Sequence, residues 1–165
     1  MGGTYTLGGR MAGHVAPHHG DDASVTLSAG VVVLRRGSDG CRYLLLRVYG
    51  YWDFPKGLVQ ENEDPLQAAR REVEEETSLR KLHFRWGEEY RETSRYRRSK
   101  VARYYVAEAN GGDVMLPVNP ELGRPEHHEF RWLTYERARE RLADRVKPIL
   151  DWAHELAGCG SAHGI

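Results

Sequence analysis

"GLVQENEDPLQAARREVEEETSL", residues 57–79, decides the fold, because it encodes a helix with a clear start and a costly end. Asp64 is suited to cap that helix, Pro65 fits its first position, and Gln67 stands where a capping-box partner belongs. Leu66, Ala69 and Val73 form an apolar stripe, and the helix is expected to end near Thr77. Four glutamates fill five positions, 72–76, at the end that carries partial negative charge and favours Lys or Arg. Glu72 and Glu76 also stand one turn apart, a repulsive spacing. At about 100° per residue, Glu72, Glu75 and Glu76 fall on one arc, while Glu74 points away. Arg71, one turn from Glu75, is too little countercharge for this arc. A hard divalent cation, Mg²⁺ or Mn²⁺, supplies it and keeps open positions for phosphate oxygens. The competing reading is a solvated charge run, which convergence on one arc disfavours.

Working outward, "SAGVVVLRR" (28–36) is apolar on both faces and reads as a strand buried on both sides. "GSDG" (37–40) is a turn, and "CRYLLLRV" (41–48) returns as a second buried strand. "YGYWDFPKG" (49–57) reads as a loop. After the helix, "LHFRWGEEYRE" (82–92) and "KVARYYVAEA" (100–109) read as strands joined by an Arg-rich turn. "LPVNPELGRPEHH" (116–128) reads as a loop into a short strand, "EFRWL". "TYERARERL" and "VKPILDWAHEL" read as helices, with Gly158 as a stop. Strands around a central helix, closed by terminal helices, predict an α+β fold, an α/β/α sandwich on a mixed sheet. Residues 1–24 are rich in Gly and His and read as a flexible tail ahead of one domain over 25–165. His14, His18 and His19 in that tail lack a cysteine partner for a metal site.

Hydrophobic residues make up 40% and charged residues 29%, and basic and acidic residues balance at 24 each, so no global field attracts nucleic acid or membrane. No apolar run spans a bilayer, and no signal-peptide stretch opens the chain. A cytoplasmic location and a monomer or weak dimer are expected. Cys41 and Cys159 match no ligand spacing and read as free thiols of a reducing compartment, with a disulfide between them as the less favoured alternative.

The stretch 57–79 resembles the signature of the Nudix hydrolase family. Gly57, Glu63, Arg71, Glu72, Val73, Glu75, Glu76 and Leu79 match it, and Ser78 departs where the family has glycine. The resemblance implies an α/β/α sandwich and a Mg²⁺- or Mn²⁺-dependent hydrolase of nucleoside diphosphates linked to another moiety. Glu72, Glu75 and Glu76 would be metal ligands, and Glu63 and Arg71 would brace the loop. Glu72 or a later carboxylate would activate water. "W-x-x-P-K-G" (Trp52, Pro55, Lys56, Gly57) and the later Glu126, His127, Phe130, Arg131, Trp132 resemble asymmetric dinucleoside tetraphosphate hydrolases. In those, the late glutamate, here Glu126, joins the metal site, and diadenosine tetraphosphate yields ATP and AMP. Within the same family, an RNA 5′-end pyrophosphohydrolase is the alternative, and a nucleotide sensor without turnover is another.

Lys56 is expected to hold a phosphate as a point charge rather than to be a solvated loop lysine. Tyr104 either stacks on adenine or packs in the core. Trp52 lines the same pocket or packs in its loop, and His127 orients phosphate or assists proton transfer, or is simply packed. The cluster Arg91, Arg95, Arg97, Arg98 and Lys100 grips distal phosphates or an RNA backbone, or is solvated, the commoner fate of such turns.

Overall fold

The computed structural model describes residues 24–160. The expected tail therefore lies outside the described residues, apart from Ser24, and so do its histidines. The sheet grows around β1 (Thr26–Gly37), whose apolar residues alternate between two cores. β2 (Gly40–Val48) folds back antiparallel on it, with Leu34 opposite Tyr43 and Gly37 opposite Gly40. β7 (Lys100–Ala109) runs parallel to β1, from Thr26 opposite Lys100 to Leu34 opposite Glu108. β10 (Glu129–Leu133) borders β2, and β5 (Leu82–His83) closes the other edge, giving the order β10-β2-β1-β7-β5. Three short strands pair outside this path: β3 (Tyr51–Asp53) with β2, β4 (Lys56–Leu58) with β1, and β6 (Tyr90–Glu92) with β7.

One face of the sheet carries α1 (Pro65–Thr77), whose Ala68, Ala69 and Val73 bury against Ala29, Val31, Val33, Leu44, Leu46 and Tyr105. The other face carries α2 (Tyr135–Arg141) and α3 (Lys147–Leu156). Ala138, Ile149, Leu150 and Ala153 pack there on Val32, Leu34, Tyr43, Leu45 and Tyr104. This is the expected α/β/α sandwich on a mixed sheet, and its two-sided burial explains why β1 and β2 are apolar on both faces.

Some boundaries differ from expectation. The stretch 82–92 is two short strands, because a turn closes through Gly87 N–H to the Phe84 carbonyl with Gly87 at φ +72°. The loop at 49–57 contributes β3 and β4, because the Pro55 carbonyl accepts from Val31 N at 3.1 Å and draws the chain from β2 onto β1. That crossing needs Gly30, since any Cβ there would strike Pro55 and Lys56. The loop at 116–128 contains a hairpin of β8 (Val118–Asn119) and β9 (Arg124–Pro125).

Cys41 and Cys159 are not free thiols. They form a disulfide with a Cα–Cα separation of 6.0 Å across a sequence separation of 118. Cys41 is the second residue of β2, and Cys159 follows α3, whose packing on this face of the sheet brings the two together. Spacing along the chain carries no information about that proximity. Beside the bridge, Tyr43 Oη bonds His154 Nδ1 at 2.6 Å, and Tyr135 stacks on the His154 ring at 4.1 Å. Tyr135 Oη and Arg139 both donate to Asp151, at 2.6 and 2.9 Å, tying α2 to α3.

Candidate active site

The site is built on the costly end of α1. Asp64 caps the other end, its carboxylate accepting from Leu66 N and Gln67 N at 3.1 and 3.2 Å. At the C-terminus the last turn holds no basic residue. Ser78 takes the left-handed conformation expected of the missing glycine, at φ 67°, and its N–H closes onto the Glu74 carbonyl. The Ser78 hydroxyl donates to the Met115 carbonyl at 3.2 Å, and Met115 N–H donates to the Thr77 carbonyl at 3.0 Å. The helix end is thereby fastened to the segment that leads into the β8–β9 hairpin.

Glu76 is buried, 6% exposed, and accepts a hydrogen bond from Lys56 N at 3.1 Å. Glu72 lies against β4, where a Cβ on Gly57 would overlap its carboxylate; only glycine admits this approach. Arg71 organises the rest. Its Nε and Nη2 grip the two Glu63 oxygens at 2.8 and 2.9 Å, and Nη2 also reaches the Leu58 carbonyl. Its Nη1 donates to Glu72 at 2.9 Å and to Glu75 at 3.2 Å. The Arg71 guanidinium and the Gln60 N–H together hold the Glu63 carboxyl down at about 2. Glu75 remains more than half exposed, and Glu74 turns away to Arg80.

Glu126 and His127, ahead of β10, come to the same place: ligand atoms of Glu76, Glu126 and His127 lie within 4.8 Å of one another. Burial raises the Glu76 carboxyl well above the usual range, and the charges of Glu126 and Glu72 raise it further. Burial also raises Glu72, against the pull of Arg71. His127 is pushed down to about 4 by burial, then by Lys56 and His128, so its imidazole is neutral at pH 7 and able to ligate. Glu76, Glu126 and His127 thus make a group of donors that could hold a metal ion.

These residues form one wall of a cavity of about 1420 Å³. Lys56 stands beside them, the β8–β9 hairpin forms a second wall, and Tyr96 and Lys100 lie on the rim between β6 and β7. The sequence offered only a charged turn at the latter two; in the fold a local antiparallel bridge joins Tyr96 and Lys100 at the edge of the cavity.

The structure does not bring Tyr104 or Trp52 to this cavity. Tyr104 is fully buried under α3, its hydroxyl donating to Asp53 Oδ1 at 2.8 Å and its ring edge-on to Phe54 at 5.6 Å. Adenine stacking on Tyr104 is thereby corrected to core packing; β7 alternates faces, and Ala102, Tyr104 and Val106 meet the α2–α3 layer. Trp52 packs against the same core with Arg141 over its ring at 5.1 Å.

A family model of the NUDIX domain matches residues 25–153. The chain belongs to the Nudix family. As a Nudix hydrolase it acts on phosphoanhydride bonds. It is 32% identical over 120 residues to the asymmetrical bis(5′-nucleosyl)-tetraphosphatase of Caenorhabditis elegans, covering 69% of this chain and 83% of that one. It is 28% identical over 105 residues to the RNA pyrophosphohydrolase of Bartonella henselae, covering 54% of this chain and 60% of that protein. Its fold superposes on a binary complex of C. elegans Ap4A hydrolase with a TM-score of 0.65 and 27% identity, over 81% of this chain and 99% of the other. Among the described residues, no helix of this Nudix hydrolase is long and apolar enough to cross a membrane.

Proposed function

We propose that this Nudix hydrolase cleaves dinucleoside polyphosphates, splitting diadenosine tetraphosphate into ATP and AMP. The observation that carries the reading is the placement of the acidic cluster on one wall of a cavity of about 1420 Å³. Pockets for compact ligands run to about 1,000 Å³, so a ligand of two nucleosides and a long phosphate chain fits this volume better than a single nucleotide. The similarity to a tetraphosphatase over most of both chains supports the same substrate class.

Glu72, Glu75, Glu76 and Glu126 would hold Mg²⁺ or Mn²⁺, with His127 as a nitrogen ligand or a hydrogen-bond donor to phosphate. A bound dication neutralises phosphate charge and lowers the pKa of attacking water. Lys56, held in place by its backbone bond to Glu76, anchors a phosphate with its ammonium group. Glu126 is exposed to the cavity and takes the proton from the attacking water; Glu72 is less suited, since Arg71 already donates to its carboxylate at 2.9 Å. Arg71 and Glu63 position the acids without touching substrate.

The second reading, removal of pyrophosphate from RNA 5′ ends, draws on the similarity to the B. henselae protein. Product analysis separates the two. Diadenosine tetraphosphate should give ATP and AMP in the presence of Mg²⁺ or Mn²⁺ and nothing after chelation. Faster turnover of triphosphorylated RNA, with the dinucleotide left intact, would replace the first reading with the second.

A further inference from the structure

The cavity is lined by apolar side chains beside its acids. Leu58 of β4, with Val118 and Leu122 of the β8–β9 hairpin, line it at 58%, 62% and 50% exposure. Pro117, Pro120 and Pro125 line it with them. Aliphatic side chains exposed singly are ordinary on a protein surface, whereas several that share one cavity mark a contact surface. The hairpin that presents two of them is closed by its own bonds. Val118 pairs with Pro125 and Asn119 with Arg124; Gly123 N donates to the Asn119 carbonyl at 2.8 Å, and Asn119 Oδ1 accepts from Glu121 N at 2.9 Å. Both ends of the hairpin are tied to the acidic wall. Met115 is bonded to the end of α1, and Pro125 runs directly into Glu126. Since Val118 faces Pro125, its Cα stands within roughly 10 Å of the Glu126 Cα. Leu58 is fixed in a similar way: its carbonyl accepts from Arg71 Nη2 at 3.1 Å, and the same guanidinium holds Glu72 and Glu75.

We propose that Val118, Leu122 and Leu58 bind a nucleobase of the substrate by apolar contact, and that these three residues make the cavity favour purines over pyrimidines. The other parts of a dinucleoside polyphosphate have no use for such side chains: its phosphates are anionic and its riboses are covered in hydroxyl groups. Only the bases present flat faces that gain by leaving water. A base laid on this wall removes ring and aliphatic surface from water together, while its own phosphate stays within a nucleoside's reach of Glu126. The gain grows with the area covered, so a two-ring base is held more tightly than a one-ring base. This inference rests on the dinucleoside polyphosphate reading of the site.

The test is the variant V118S/L122S, whose exposed positions should leave the thermal midpoint close to that of the parent. L58S, on a different element, repeats the measurement independently, and V118I/L122M keeps the apolar contact. With Mg²⁺, V118S/L122S should raise KM for diadenosine tetraphosphate about tenfold at unchanged kcat. It should also narrow the parent's preference for that substrate over diuridine tetraphosphate, and V118I/L122M should behave as the parent does. Calorimetric titration reads the same contact through binding. ATP should bind the parent at least about tenfold more tightly than inorganic tripolyphosphate, and V118S/L122S should lose that advantage while binding tripolyphosphate as before. Equal losses for ATP and tripolyphosphate would overturn the proposal, because the hairpin would then act through Glu126. So would a V118I/L122M variant as impaired as V118S/L122S. A parent that sediments as a dimer, with V118S/L122S as a monomer, would overturn it too and make the wall an interface between copies. A parent that prefers ATP through this wall but cleaves no dinucleotide would refute the proposed function and leave the base contact standing. Cleavage of the dinucleotide with KM unchanged in V118S/L122S and L58S would do the reverse.

Discussion

Ser78 holds a left-handed conformation at φ 67° that the family gives to glycine, and its hydroxyl bonds the Met115 carbonyl at 3.2 Å. The two effects oppose each other: the backbone strain costs about 1–2 kcal/mol, and the hydrogen bond returns about 1 kcal/mol. Ser78→Ala keeps the strain and loses the bond, so it should destabilise by about 1 kcal/mol. Ser78→Gly should be more stable than Ser78→Ala by a similar margin, and denaturant titration of both checks the order. Glu76 presents the opposite case, a buried acid whose proton affinity rises because water is excluded and other acids crowd it. Glu76→Gln retains an acceptor for Lys56 N and removes that repulsion. It should raise the melting temperature of the metal-free protein while lowering kcat by about a hundredfold or more. A destabilised variant would instead make Glu76 a structural acid.

At the level of elements, α1 was legible because capping, apolar stripe and acidic arc are all local properties, and its span matches the expectation. The edges of the sheet were less so: β3, β4, β8 and β9 are two or three residues long and are fixed by partners, such as the Pro55 carbonyl bonding Val31 N, that no local pattern encodes. Tyr104 failed for a related reason. Alternation assigned it a face correctly, but that this face is covered by α3 and does not open on the cavity depends on long-range packing. The α2–α3 pair carries its own pH response. Burial lowers the His154 pKa against the pull of Glu136 and Asp151, since the charged imidazolium loses its hydration there. The folded state therefore binds fewer protons at this site than the unfolded one. Stability from this group is complete above about pH 6.5 and is lost as pH falls through the lowered value. Thermal midpoints measured from pH 7.5 down to 5 should decline in the parent and decline less in His154→Gln. Parallel curves would exclude His154 as the source.

For the molecule as a whole, the disulfide is the feature that sequence reading ranked below free thiols, since composition describes a compartment and not a distance. Cys41–Cys159 joins the start of β2 to the turn after α3 and closes most of the domain into one loop. Cys41→Ser/Cys159→Ser should destabilise by about 2–5 kcal/mol, read as a lower denaturation midpoint that reductant does not lower further. The active-site wall lies on the other side of the sheet, so kcat at a temperature where the variant stays folded should be unchanged.

The parallel pairing of β1 with β7 has a temporal meaning as well. Thr26–Leu34 leaves the ribosome early and finds its neighbour Lys100–Glu108 only after the residues between have been made. Until then the middle of the sheet is an open, sticky edge. Synthesis paused anywhere in that interval would leave a nascent chain that chaperones must shield, whereas release after β7 lets the sheet close on itself.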